Sequence, residues 1–147
     1  MTTLERIEKL VAIVNEENAK KGDIPIYNFF FDDRQLMNVK ADNATFPVVF
    51  FEEYKSGYYR TRNFIDKVTN VELYFLKLCQ MENEARYRER LREQMEEEFI
   101  KPFIRTCLAN PHLFERVENW NFQTPPPRFD TNEVSVLLTF EAVYPSC

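Results

Sequence analysis

The residues best placed to do chemistry are Asp33 and the pair Glu53-x-Lys55. Restriction-type nucleases set an Asp at one strand end and a Glu-x-Lys on the next strand, where two carboxylates hold magnesium and the lysine polarises the attacking water. With 24 acids and 19 bases in 147 residues, Asp…Glu-x-Lys also arises by chance. Lys55 opens the expected turn "KSG", which takes it off the strand where such a site would hold it. Solvated charges at a strand end are therefore the favoured reading, and no catalytic or metal-binding residue is assigned. His112 is the single histidine and has no Cys, Ser or acid cluster beside it in sequence, so neither a triad nor a zinc site is indicated. Cys79, Cys107 and Cys147 are far apart and lack a CxxC, which predicts reduced thiols, the first two buried among apolar neighbours. Gly22 and Gly57 are the only glycines, which excludes P-loop and dinucleotide fingerprints, and no cofactor is expected.

The elements that must position these residues follow from periodicity. Leu4, Ile7, Leu10, Val11 and Val14 recur at helical spacing. Thr2 and Glu5 form a capping box, and Lys20, Lys21 and Gly22 form a stop, predicting a helix over about 3–20. "IPIYNFFF" (24–31) and "FPVVFF" (46–51) read as strands, the second covered on both faces or lying at a subunit contact. "KSG" (55–57) reads as a hairpin turn and "YYRTRNFI" as the return strand. In "NVELYFLKL" (70–78), Val71, Leu73 and Phe75 point to one side, and Glu72, Tyr74 and Leu76 to the other.

From Glu82 the period changes to helical, with Leu91, Met95, Phe99 and Phe103 in one stripe. Pro102 should kink this helix, and Asn110-Pro111 should end it. "RYRERLREQMEEE" reads as a solvated face or a charged inter-subunit contact. Strands at 113–122 and 133–144 finish the chain, joined by a link containing the stiff run Pro125 to Pro127. The fold expected is one α+β domain over 1–147, an antiparallel meander of about five to six strands carrying an N-terminal helix and a long helix.

A net charge of −5 leaves no basic footprint for gripping nucleic acid. The N-terminal stretch has no cleavage-type apolar core and no run reaches membrane-spanning length, so a soluble, unexported protein is expected. Aromatic residues reach 15%, with 14 Phe and 7 Tyr, more than two sides of a small sheet must bury. Aromatics anchor interfaces, so the excess suggests protein contact surfaces.

The order of an N-terminal helix, a Phe-Pro-Val-Val strand opening a long hairpin, "VELYFLK", a helix ending "EEEFIKPFI", and the final strand "EVSVLLTFEAVYPSC" resembles small tail-terminator or tail-completion proteins of phages and prophages, Bacteroides-type phages in particular. The resemblance covers most of the chain in pattern and order and rests on no invariant signature. It implies a virion ring protein, assembled in the bacterial cytoplasm, whose subunits associate head to tail, usually as hexamers, and dock on tail-tube or head-connector proteins. A head-tail connector or neck adaptor is the nearest relative of that role. DNA would pass through an acidic lumen without specific binding, and no catalytic residue is carried over. By this analogy the 46–66 hairpin supplies subunit contacts, for which the candidates are Phe50, Phe51, Tyr54, Tyr58 and Tyr59.

Overall fold

A computed structural model describes residues 1–31, 46–52, 56–79, 85–125 and 133–143. Helix α1 (Thr3–Lys21) begins where the Thr2 hydroxyl accepts the Glu5 backbone N–H at 3.1 Å. It ends at Gly22, whose φ of 74° lies in the left-handed region that favours glycine. Its stripe of Ile7, Leu10, Val11 and Val14 is buried, as the spacing predicts. Arg6 donates to the Leu113 carbonyl and lies over the Phe114 ring, tying α1 to the turn before the last two strands.

The strands are β1 (Asn28–Phe30), β2 (Val48–Phe51), β3 (Ser56–Arg60), β4 (Asp66–Leu78), β5 (Arg116–Gln123) and β6 (Glu133–Val143). They form one six-stranded sheet in the order β1-β2-β4-β6-β5, with β3 also paired to β4. The long strands β4 and β6 run antiparallel from Val68 opposite Val143 to Leu78 opposite Glu133 and make the centre. One face carries Val71, Leu73 and Phe75 of β4 with Val136, Leu138 and Phe140 of β6, all buried under the helices. The opposite face buries Val48, Phe50 and Leu76 beside Phe30, Phe46 and Tyr74. The alternation expected along β4 is therefore present.

Two expectations about connectivity are corrected. The sheet is mixed, because β1 and β2 pair in parallel with Asn28 opposite Val48. Asn15 of α1 sets the entry to β1: its side-chain amide donates to the Tyr27 carbonyl at 2.9 Å and accepts the Tyr27 N–H at 3.0 Å, standing in for a strand neighbour. The second correction concerns the hairpin. β2 and β3 do not pair with each other; both lie along the same side of β4, β2 opposite Leu73–Leu76 and β3 opposite Asp66–Asn70. The turn of the hairpin is at 61–65, between β3 and β4, and Gly57 sits within β3. A Cβ at Gly57 would stand 2.0 Å from the Val68 carbonyl oxygen, so the glycine serves close strand approach.

The long helix is one 25-residue run: α2 (Ala85–Met95), a π-helical turn (Glu96–Ile100) and α3 (Lys101–Ala109). Pro102 has no N–H, and in a regular helix its ring would crowd the carbonyl four residues back, on Glu98. The helix widens just before the proline, with the Lys101 N–H bonded to the Glu96 carbonyl. The Glu98 carbonyl instead accepts the buried Asn18 amide at 2.9 Å. The wide turn has a second effect. Residues four apart drift about 40° around an α-helix; a π turn rotates them back, keeping Met95, Phe99 and Phe103 together in the core.

The Glu98 carboxylate is held by the Tyr27 hydroxyl at 2.8 Å and Lys77 Nζ at 3.1 Å, and Lys77 also donates to Gln94 at 2.7 Å. Burial, the hydrogen bond to Glu98 and its charge push the Tyr27 phenol well above its ordinary range. A chain of rings crosses the layer: Tyr27 on Phe99 at 4.5 Å, Phe99 to Phe75 at 5.9 Å, Phe75 to Phe103 at 6.4 Å, Phe103 to Phe140 at 6.3 Å and Phe140 on Trp120 at 4.4 Å. Such offset and tilted contacts add to simple area burial.

Candidate functional site

The end of the sheet that carries β3 extends beyond the helical layer. There β4 continues through Asp66 to a turn at 61–65 and back along β3, with Tyr58 opposite Val68, Tyr59 opposite Lys67 and Arg60 opposite Asp66. The hairpin is tied to the sheet along β3 on one face. The Tyr58 hydroxyl donates to Glu141 at 3.1 Å, Arg60 pairs with Glu118, and the Asn70 amide donates to the Ser56 hydroxyl at 3.1 Å. Glu141 and Glu118 belong to β6 and β5, so β3 is latched across the neighbouring strands up to its last residue, Arg60. Tyr59, between the two latch residues but on the other face, is 65% exposed, and Phe64 and Ile65 in the turn are 78% and 79% exposed. Among the described residues nothing covers these three large side chains.

Among the contact candidates, Tyr58 and Tyr59 lie on this arm. Phe50 and Phe51 do not: both are buried within the single chain, Phe50 6.2 Å from the Tyr74 ring on one face and Phe51 in the helix-covered core. Period-2 alternation on a strand covered from both sides gives each a buried place, and a neighbouring molecule cannot reach either one. Tyr54 lies outside the described residues, as do Asp33, Glu53, Lys55 and Cys147. Phe64 and Ile65 were missed by sequence reasoning, which placed them on a strand. The signal was available, since an apolar pair between Asn63 and Asp66 sits among turn-forming residues.

The remaining chemistry-bearing residues are scattered. His112 is exposed in the turn after α3. Cys79 and Cys107 are buried free thiols, and burial pushes Cys107 up to about 12, so it stays protonated at neutral pH. Among the described residues, no group of three or more His, Cys, Asp or Glu could hold a metal ion, and no helix is long and apolar enough to cross a membrane.

A second surface feature lies on the helix-covered side, at the outer edge of the sheet. Ile100 and Ile104, one position round the helix from the Phe99–Phe103 stripe, face Trp120, Phe122, Val136 and Leu138 across a cleft of about 240 Å³. Glu96 and Lys101 stand at its rim, and Phe122 is 68% exposed. A β-bulge lies beside the cleft: between Glu118 and Asn121 the register of β5 on β6 shifts, with Asn119 at φ 59°. In comparisons with known proteins, the chain matches no family model and no curated protein sequence.

Proposed function

We propose that this chain is a structural subunit of a phage tail or neck ring, of the tail-terminator or tail-completion kind. It acts by associating with copies of itself and by docking on tail-tube or head-connector proteins. The observation that carries the reading is the β3–β4 hairpin, which leaves Tyr59, Phe64 and Ile65 exposed. An apolar tip on a hairpin latched along β3 by Tyr58–Glu141 and Arg60–Glu118 is preorganised for contact, which lowers the entropy lost on binding. The order of elements that resembles the terminator family supports the same role. The charge of −5 suits a ring through which DNA slides. No catalytic step is assigned.

Molar mass by light scattering across a concentration series, alone and with tail-tube protein added, tests the reading. Assembly in either condition is the expected result. A strict monomer in both, with no binding to tube or connector protein, rejects it. Preferential binding to connector protein would assign the chain to the neck.

A further inference from the structure

We propose that the cleft between the long helix and β5 receives an extended, uncharged segment of a partner protein, which adds to the edge of β5 as a further strand and sets alternate apolar side chains in the cleft. The inference stands apart from the ring-subunit reading and from the hairpin.

Three features of the place fix the chemistry of the occupant. First, β5 ends the sheet: among the described residues it pairs with β6 alone, and Asn121 to Thr124 are exposed. The side of an end strand turned away from its neighbour carries a row of backbone N–H and C=O groups, and the partner that satisfies such a row is another extended backbone. Edges of this kind are ordinarily guarded by charge. Glu115, Arg116 and Glu118 guard the start of β5, whereas 119–124, from the bulge onward, carry no charge.

Second, the unguarded part of the edge is the part that borders the cleft. Phe122 lies opposite Leu138 on the helix-facing side, yet is 68% exposed, so the helical layer stops short of it. Ile100 and Ile104 stand across from it. An added strand would present every second side chain to this same side, about 6.8 Å apart, against Trp120 and Phe122. A cleft of about 240 Å³ is smaller than the roughly 300–1,000 Å³ of small-molecule and cofactor sites, and a helix about 10 Å across finds no room in it. It suits one or two side chains. Third, the rim balances one acid, Glu96, against one base, Lys101, and the edge beside it is neutral. A charged side chain seated there would lose water without a net attraction, so the segment that fits is uncharged.

The test starts from a library of random twelve-residue peptides selected on the full chain. Enriched peptides are then synthesised and titrated by calorimetry and by amide chemical shifts. They are expected to share apolar residues two positions apart with no charge between them, to bind 1:1 with Kd below about 1 mM, and to shift amides at 100–104 and 119–124. A strand turns successive amides to opposite edges, so methylating the peptide nitrogens one at a time should give an alternating result. Binding should weaken about three- to tenfold at the amides that face β5 and change little at those between. Phe122→Asp, at an exposed position, should weaken binding at least about tenfold, as for loss of an interface anchor. Ile26→Ser, at an exposed apolar position beside the opposite end strand β1, should leave it unchanged.

A selection that yields no peptide binding below about 1 mM overturns the inference. So do peptides that bind as helices, show no alternation on methylation, or keep their affinity for Phe122→Asp. Peptides that shift amides at 58–67 in place of 119–124 would move the docking site to the hairpin, and loss of binding in Ile26→Ser would reduce it to general apolar adhesion; either result overturns the inference. Ring assembly is read separately by light scattering, so the failure of one reading leaves the other standing.

Discussion

The helix-covered centre and the projecting arm are made from the same kinds of residue on the same strand. β4 runs through both: Val71, Leu73 and Phe75 face the helices, Thr69 is still buried, and at the start of the strand Lys67 and the paired Tyr59 are exposed. In the centre, Phe99 touches Tyr27 and Phe75 and is fully buried. At the tip, Phe64 and Ile65 are left to water. An aromatic residue takes its role from whether a second layer lies over it, and the length of β4 beyond the helices decides that here.

The comparison can be broken most forcefully at Phe99. Phe99→Ala should lower the unfolding free energy by about 3–5 kcal/mol in urea titration, since it removes a ring from a close-packed stack and leaves a cavity. Gly57→Ala should act locally. Its Cβ meets the Val68 carbonyl at 2.0 Å, so β3 must part from β4 at a cost of about 1–3 kcal/mol, typical of overpacking. Hydrogen exchange should quicken at 56–60 and 66–70 while protection at 71–78 is retained; uniform loss of protection would mean that arm and centre unfold as one unit.

The centre should also respond to alkali. Cys107 is raised from 9.0 to about 12 by burial, so the unfolded chain releases this proton first. Its contribution to stability is complete below about pH 9 and is lost as pH rises from about 9 toward 12, amounting to about 1 kcal/mol by pH 10. Cys107→Ala should flatten the slope of unfolding free energy between pH 8 and 10, whatever it does to the absolute value. Tyr27 adds a loss with the same sign, beginning only above its ordinary value near 10. The smallest effect is expected at the tip: Phe64→Ala should change unfolding free energy by no more than about 0.5 kcal/mol, as for an exposed position without partners. A larger loss would show that the tip is part of the fold.

Much of the fold was legible because its signals are local. The cap at Thr2, the stop at Gly22, the stripe Met95–Phe99–Phe103 and the two-sided pattern of 71–76 each follow from spacing within one element. The effect of Pro102 was legible as a disturbance, but its form was not. A kink and a π turn both relieve the clash at Glu98, and the carbonyl freed there is taken up by Asn18, eighty positions earlier in the chain, a partner that no local pattern reveals. The direction of β1 was hidden for a similar reason, since alternation is identical in parallel and antiparallel strands. "KSG" misled because glycine near serine has the composition of a turn, whereas Gly57 answers to a backbone on another strand. On the hairpin, Tyr58 and Tyr59 were legible as aromatics near a turn. Phe50 and Phe51 carry the same sequence signal, and only the second layer separates them.

The sequence by itself determined the α+β class, the extents of α1 and β6, the alternation along 71–76 of β4, and the surplus of aromatic residues, because side-chain period and capping chemistry act over one or two turns of chain. Tertiary structure alone decided which aromatics are core and which are tip, where the hairpin turns, and that an apolar cleft opens between the helix and β5. Those outcomes depend on which elements lie over one another and how far a strand outruns its cover, and contacts between residues distant in sequence set both.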